Sequence, residues 1–275
     1  MFEPNSRRTL LPFSLFGKHD VSIRYIERQA SFRLVRQIDD VREYRHRSSA
    51  LPASQFSELK DALLSSALVG RSTLAGPFQS SRGFAVIFRG RGRVKVEERF
   101  PTLKPWLDLT LGAPAVRALT PWWRRSIERV PNAWYLNVLL VSQGGTVSRH
   151  VDATLRKPAQ VDDAIPELVS VLYLSVPRSK GGELQLWNGA EALARLKPAE
   201  NDSIHFRGDL AHEICAFEAG PDTLRASLVI EQYHFADDVV ARLPDFKLES
   251  RAGFSAYLDH HQTSGAPKTF ELEND

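Results

Sequence analysis

Short apolar runs dominate the chain from Trp134 onward, and clusters of glycine, proline and aspartate separate them. The runs are rich in valine, leucine, isoleucine and aromatic residues, a composition that predicts β-strands. Several such strands in close succession favour an all-β sandwich or barrel. The predicted strands cover 133–142, 168–176, 182–187, 202–206 and 223–235.

Helical periodicity is confined to the N-terminal half. Apolar residues at three- and four-residue spacing predict an amphipathic helix over 54–69, with Ser54 as its N-cap and Gly70 beyond its end. A second helix is predicted to begin at Thr120, a good N-cap, because Pro121 suits the first helical position. We expect these helices to cover one outer face of the β-core. The apolar positions of the first helix are Phe56, Leu59, Leu63 and Ala67.

Two further strands are predicted in this half, at 83–88 and 93–98. Between and within them, Arg89, Arg91 and Arg93 alternate with other residues, so a strand would place all three on one face. We interpret that face as solvated, because no aromatic residues are interleaved to stack on nucleic-acid bases.

The composition is that of an ordinary soluble globular protein, with 43% hydrophobic and 25% charged residues among 275. The net charge of +3 is mild and does not by itself indicate a nucleic-acid partner. A lone cysteine, Cys215, predicts a reducing compartment, and no apolar run is long enough to span a membrane. The arginine pair Arg7 and Arg8 precedes only a short patch broken by Pro12, so we expect a cytoplasmic protein rather than an exported one.

A histidine and an aspartate lie two residues apart after a glycine pair, in SQGGTVSRHVDAT (142–154). On an extended segment His150 and Asp152 project from the same face, so both can reach one metal ion. Such a pair is common by chance, and a third ligand must come from elsewhere. The remaining histidines are His19, His46, His205, His212, His234, His260 and His261.

His212 is the best third ligand, because it lies in a polar loop between two predicted strands, FRGDLAHEICAF (206–217). Two histidines and one carboxylate on one face of an octahedron leave three positions open, which is the arrangement of non-haem Fe(II) oxygenases. A 2-oxo diacid bound there needs an anchor for its far carboxylate, and a guanidinium binds carboxylates in a bidentate manner. Arg225 offers one, and Ser227, Val229 and Glu231 share its face of the predicted strand.

These residues resemble the Fe(II)- and 2-oxoglutarate-dependent dioxygenases, most of all the prolyl-hydroxylase-like branch. The similar segments are SQGGTVSRHVD, LYLSVPRSKGGEL and HEICAF ahead of the arginine strand, and they cover roughly 134–235. The resemblance implies a mainly β (α+β) fold, with a double-stranded β-helix of the jelly-roll or cupin-like kind and supporting N-terminal helices. The resemblance does not extend to 1–130. We expect an N-terminal region over 1–130, a catalytic core over 131–236 and a C-terminal extension over 237–275, together forming one domain.

The resemblance also implies roles for individual residues. His150, Asp152 and His212 would hold Fe(II), and Arg225, with Ser227 beside it, would bind 2-oxoglutarate. Tyr173 stands where this branch has a tyrosine that reaches the same carboxylate, although a packed core aromatic is the alternative. Asn137 would touch the oxo-acid or be a satisfied buried amide.

The implied activity is hydroxylation of an unactivated C–H bond, consuming O2 and 2-oxoglutarate, releasing succinate and CO2, and supported by ascorbate. Asp152 argues against the related halogenases, in which a small residue replaces the carboxylate. Desaturation or oxidative cyclisation on the same scaffold is an alternative, and so is a cupin-like binding module without catalysis. The substrate would be an amino acid, a metabolite derived from one, or a peptidyl residue.

The sequence also suggests residues that contact the substrate. Glu231 would meet a cationic group of the substrate or pair with an internal basic residue. The polar loop over 154–167 follows the metal motif directly and is expected to act as a lid or clamp. Arg207 would line the entrance or be solvated. The other candidate substrate residues are Arg149, Arg156, Leu184 and Trp187.

Overall fold

The computed structural model describes residues 43–69, 81–111, 130–220 and 223–250. The helix predicted from Thr120, the stop signal at Gly70 and the Arg7–Arg8 pair lie outside these ranges. Within them, none of the helices is long and apolar enough to cross a membrane.

The larger β-sheet has seven strands within the described ranges, and each strand is antiparallel to its neighbours. The runs predicted from Trp134 onward supply its centre, since continuous apolar segments suit strands that are covered on both faces. In spatial order its strands are β1 (Tyr44–Arg47), β9 (Ser203–Arg207), β5 (Leu168–Ser175), β12 (Leu224–Tyr233), β3 (Ala133–Ser142), β2 (Ser81–Arg89) and β13 (Phe246–Ser250).

A smaller sheet of four described strands faces the larger one, and a two-stranded ribbon accompanies it. The chain passes repeatedly between the two large sheets, for instance from β3 to β4 and from β9 to β10, as in a double-stranded β-helix. The smaller sheet has the order β4 (Val147–His150), β10 (Ala211–Ile214), β7 (Leu184–Asn188) and β8 (Glu191–Leu196). The ribbon joins β6 (Lys180–Gly181) to β11 (Phe217–Glu218).

The outer face of the larger sheet is covered by helices, as the sequence predicts. Buried side chains of the helices pack into one cluster with β2, β3, β5 and β12, including Trp106, Leu59 and Leu228. The helices in this layer are α1 (Ala53–Leu64), α2 (Gly92–Arg99) and α3 (Lys104–Thr110), with short 3₁₀ turns at Ala67–Val69 and Pro101–Leu103. Two single-turn helices lie elsewhere, α4 (Arg156–Ala159) and α5 (Asp237–Val240).

The alternation along β12 follows the prediction. Ala226, Leu228 and Ile230 pack into the helix-facing core, whereas Arg225 and Glu231 line a pocket between the sheets. A period of two therefore separates the hydrophobic core from the polar interior of the fold.

The strand predicted over 93–98 is wrong, because these residues form α2. Gly90 ends β2 with a positive φ of 46°, so the chain turns before the valines begin. Val96 is fully buried while Val94 is 56% exposed, and Arg93 pairs with Glu97 one turn ahead. The three arginines therefore do not share a strand face.

The helix predicted over 54–69 is shorter than expected. It begins at Ala53 after Pro52, so Ser54 does not cap it, and it ends at Leu64. The hydroxyl of Ser65 donates to the carbonyl of Asp61, and such local bonds compete with helix continuation. The buried positions Phe56, Leu59 and Leu63 are as predicted.

Candidate metal centre and co-substrate pocket

Two strands of the smaller sheet bring the predicted metal ligands together. His150 ends β4 and is the register partner of His212 on β10, and their ring centroids lie 4.4 Å apart. Asp152 follows two residues after the end of β4 and is 4% exposed. One ligand atom from each residue lies within 4.8 Å of the other two, as a shared metal ion requires.

Backbone carbonyl groups orient both imidazoles. His150 donates from Nδ1 to the carbonyl of Ser148 at 2.7 Å, and His212 donates from Nδ1 to that of Leu210 at 3.3 Å. With the proton on Nδ1, each Nε2 keeps its lone pair for a metal, which is the usual outer-sphere arrangement for histidine ligands. These Nε2 atoms lie 3.3 and 3.5 Å from the two carboxylate oxygens of Asp152.

The electrostatics of the triad suit a divalent cation. Burial opposes ionisation of Asp152, but the two histidines outweigh it and hold the pKa of this carboxyl below its usual value. Burial lowers the pKa of His212, which keeps that imidazole neutral as metal binding requires. Among the described residues, no hydrogen-bond donor reaches the buried Oδ2 of Asp152. The donor set of two imidazoles and one carboxylate therefore fits Fe(II).

A pocket of about 470 Å³, counted with its opening, lies between the sheets beside the triad. The wall formed by β12 presents Arg225, Ser227, Val229 and Glu231, in the order predicted from the alternation. The remaining walls are mainly apolar and contain Leu139, Val147, Val169, Val171 and Ile214, with the polar exception of Asn137.

Arg225 is a buried cation that lacks an anionic partner among the described residues. It is 1% exposed, and neither its Nε nor its Nη1 has a hydrogen-bond acceptor there. Its guanidinium lies 5.0 Å from the ring centroid of Tyr173, whose buried hydroxyl also lacks a described partner. Burial lowers the pKa of Arg225 and raises that of Tyr173 to about 12. Such a pair of donors fits a carboxylate ligand.

Asn137 has the position expected on β3, across from Val229 of β12, and it lines the pocket. Its Oδ1 is buried without a hydrogen-bond partner in the described part of the chain. Asn137 is therefore not a buried amide with all of its hydrogen-bonding groups satisfied. The amide is oriented toward the same interior as Arg225 and the metal ligands.

Of the predicted substrate residues, Glu231 lines the pocket and the others lie elsewhere. The guanidinium of Arg149 covers the ring of Trp187 at 4.2 Å. Arg156 pairs with Asp162 on the exposed side of its loop, and Leu184 is buried in a cluster between the sheets. Arg207, predicted to line the entrance or to be solvated, forms ion pairs with Glu43 and Asp209 and is not among the pocket-lining residues.

The loop over 154–167 is packed rather than open. Leu155, Ala159 and Ala164 are buried against Tyr233 and neighbouring apolar residues. Thr154 adds two hydrogen bonds to β12, described below, so this part of the loop is packed against the core, and no residue of 154–167 is among those that line the pocket. The charged residues of this segment suggested an exposed loop, but its apolar residues are buried.

Sequence reasoning missed the valines of β5 and the partners of Glu231. Val169 and Val171 line the pocket, and strict alternation backward from Tyr173 would have identified them. Thr154 and Tyr233 contact Glu231, but Thr154 lies 77 residues from Glu231 in the chain, so no local signal marks it.

Comparison with solved structures identifies the architecture. A prolyl hydroxylase from Trichoplax adhaerens, solved with a hypoxia-inducible-factor peptide fragment, matches with a TM-score of 0.50 at 14% identity, over 78% of this chain and 94% of that one. The chain has the fold of a prolyl hydroxylase. The predicted fold class, mainly β with a double-stranded β-helix core, is thereby confirmed.

Other solved structures are similar at lower scores. A prolyl-4-hydroxylase from Pseudomonas putida is 17% identical over 72% of this chain and 97% of that one, with a TM-score of 0.44. A 2OG-Fe(II) oxygenase-family oxidoreductase from Burkholderia pseudomallei is 16% identical over 70% of this chain and 84% of that one, with a TM-score of 0.45. No family model matches the sequence, and no curated protein does.

Proposed function

We propose that this protein is an Fe(II)- and 2-oxoglutarate-dependent oxygenase that hydroxylates a C–H bond of a small or peptidyl substrate. The observation that carries the proposal is the presence, in one pocket, of a His-Asp-His triad and a buried arginine without a described anionic partner. A structural metal site needs no such cation beside it, and this argues against a cupin-like binding module.

When bound, the metal with 2-oxoglutarate and O2 supplies the oxidising chemistry, releasing succinate and CO2. The protein supplies binding and orientation. His150, Asp152 and His212 would hold the metal on one side and leave the other side open to ligands. Arg225 would bind the far carboxylate of 2-oxoglutarate, with Ser227 and Asn137 lining the same pocket. Tyr173 is not among the pocket-lining residues, but its ring packs against the Arg225 guanidinium, and its hydroxyl would reach the same carboxylate.

The apolar walls of the pocket have a role of their own. They exclude water from the reacting groups, which strengthens every electrostatic interaction inside. They also leave the orientation of the ligands to a few polar side chains, as in most small-molecule sites. Val171, Val229 and Leu139 form these walls around the triad.

The substrate class supported by this pocket is an amino acid, a metabolite derived from one, or a peptidyl residue. The Trichoplax structure contains a bound peptide fragment, so a peptidyl substrate is compatible with this fold. Desaturation or oxidative cyclisation would use the same residues and is the second candidate reaction. Product analysis by mass spectrometry distinguishes the two, because hydroxylation adds one oxygen atom and desaturation removes two hydrogen atoms.

The proposal is tested by binding first and turnover second. Fe(II) and 2-oxoglutarate, added anaerobically, should each raise the melting temperature, and succinate should form in air with ascorbate and a substrate pool. His150→Ala should abolish the response to Fe(II), and Arg225→Ala should abolish the response to 2-oxoglutarate. His234→Ala is a matched control, since within the described part of the chain His234 bonds the carbonyl of Val130 and does not line the pocket. A protein that responds to neither ligand and forms no succinate would disprove the assignment.

A further inference from the structure

Glu231 is a buried acid in the pocket whose partners are hydroxyl groups. It is 3% exposed and lines the same cavity as the metal ligands. Its Oε1 accepts a hydrogen bond from the hydroxyl of Thr154 at 2.8 Å, and its Oε2 accepts one from the hydroxyl of Tyr233. Tyr233 in turn accepts from the backbone N–H of Thr154 at 3.0 Å. The carboxylate is thereby held in one orientation.

No basic side chain compensates this acid within the described ranges. The groups that act on Glu231 are Asp152, Thr154 and Tyr233, none of which is a cation. Burial, and after it the negative charge of Asp152, raises the pKa of Glu231 well above its usual range. Keeping a carboxyl group in such a place costs stability unless something uses it, and strongly perturbed acids in clefts are candidate functional groups.

The two hydroxyl donors leave some hydrogen-bond acceptor positions of the Glu231 carboxylate unoccupied. Each carboxylate oxygen has about two acceptor positions, and Thr154 and Tyr233 fill one on each oxygen. The remaining positions can accept a bidentate guanidinium or an ammonium group. The residues between Glu231 and Arg225 on the same strand face are Ser227 and Val229, and Val169 of β5 also lines this pocket, so an alkyl chain has apolar surface to contact.

The rest of the pocket would be electrically balanced without Glu231. The charges of Fe(II) and Arg225 are together positive, and the two carboxylates of 2-oxoglutarate and that of Asp152 offset them. Because the pKa of Glu231 is raised, its carboxyl group resists ionisation, and once ionised it is the one uncompensated charge among the pocket-lining groups that the structure describes. A substrate with a positive charge restores the balance, whereas an anionic substrate would add to the excess.

We propose that Glu231 is the cation-binding point of the substrate pocket, so that the substrate carries an ammonium or guanidinium group beside an apolar chain. This inference rests on the proposed oxygenase function and narrows its substrate class. The cation belongs either to a free amine or to the basic side chain of a peptide. Thr154 and Tyr233 are positioning residues in this scheme, since they hold the carboxylate and do not touch the substrate.

The test measures binding rather than turnover. Matched probe pairs are titrated calorimetrically into anaerobic protein that holds Fe(II) and 2-oxoglutarate: butylguanidinium against butylurea, and hexylammonium against hexanol. Wild type should bind the cation of at least one pair about ten-fold more tightly or better, as expected for a desolvated charge pair. Glu231→Gln should bind both members of that pair equally. Free arginine and lysine, and blocked peptides containing them, then distinguish the two sources of the cation.

A control variant and a measurement of 2-oxoglutarate binding separate the outcomes. Asp162→Asn removes a negative charge from the fully exposed part of the neighbouring loop and should leave the cation preference intact. Wild type without any cation preference would overturn the proposal, even if Glu231→Gln does not fold, and so would a preference that persists in Glu231→Gln. If the cation preference fails but 2-oxoglutarate still binds, the proposed oxygenase function is not contradicted. If 2-oxoglutarate does not bind, that function fails, and the cation preference is scored on the ligand-free protein.

Discussion

Replacing Arg225 by methionine should separate folding stability from co-substrate binding. The guanidinium is 1% exposed, two of its nitrogens have no described acceptor, and the ring of Tyr173 lies 5.0 Å away. In the ligand-free protein this cation is therefore desolvated without a counter-charge among the residues that the structure describes. Methionine retains much of the side-chain volume and removes the charge, so Arg225→Met should stabilise the ligand-free fold while it weakens 2-oxoglutarate binding.

The two effects have opposite signs and comparable sizes. Replacing buried charges by apolar side chains of similar volume is often neutral or stabilising by about 1–4 kcal/mol, and Arg225 has no described ion pair to lose. Removing one member of a buried hydrogen-bonded charge pair costs about 2–5 kcal/mol of binding free energy. At about 1.4 kcal/mol for each factor of ten, 2-oxoglutarate should bind from about 30-fold to a few thousand-fold more weakly.

Urea unfolding with and without 2-oxoglutarate, in anaerobic protein containing Fe(II), measures both effects. At a ligand concentration of about 100 times Kd, wild type should gain about 2.7 kcal/mol, and the variant less than about 1 kcal/mol at the same concentration. Arg195→Met is the control, because Arg195 is an exposed cation paired with Glu183. An equal gain in Arg225→Met and wild type would refute the carboxylate anchor. If ligand-free Arg225→Met is less stable than ligand-free wild type, the claim that Arg225 is an uncompensated, destabilising charge is refuted.

Three further predictions follow from buried groups. Tyr173→Phe should weaken 2-oxoglutarate binding by about two- to ten-fold, measured by titration, with little change in ligand-free stability because its hydroxyl has no described partner. Burial lowers the pKa of His205 from 6.5 to about 4, so between these values the unfolded chain binds the proton first and stability falls as the pH falls. His205→Asn should reduce this loss, seen as a smaller shift of the urea midpoint between pH 7.5 and 5. Gly83→Ala should lower the unfolding free energy by more than about 2 kcal/mol, since its Cβ would lie 1.7 Å from the carbonyl oxygen of Val138; an unchanged melting temperature would contradict this.

The central strands were predictable because they are continuous apolar runs, and a buried strand is the one element that this pattern indicated. The run predicted over 133–142 is β3 without adjustment, and those over 168–176 and 223–235 differ from β5 and β12 only at their ends. The strands of the smaller sheet were harder. His212 was placed in a loop, yet it lies on β10, a four-residue strand stabilised by its neighbours β4 and β7. Its backbone pairing comes from distant segments, which local composition does not reveal.

The same distinction applies to the site. The spacing of His150 and Asp152, and the period of two along β12, are local properties that predicted which side chains meet in the pocket. The environment of Glu231 depends on Thr154, which packing alone brings to it. The strand predicted over 93–98 failed for a related reason. The alternation of valine with charged residues fits a strand, but the turn at Gly90 and the packing of α2 decided its conformation.

The geometry of β12 explains why its two buried charges do not neutralise each other. Arg225 and Glu231 share one face of the strand, so both enter the same pocket. Six residues at about 3.3 Å each separate their Cα atoms by about 20 Å, which is beyond the reach of a direct ion pair. The two residues therefore cannot serve as counter-ions for each other, and among the described residues neither has another one, so we expect each to bind a ligand group of opposite sign. A strand with this pattern favours an anionic co-substrate at one end and a cationic substrate at the other.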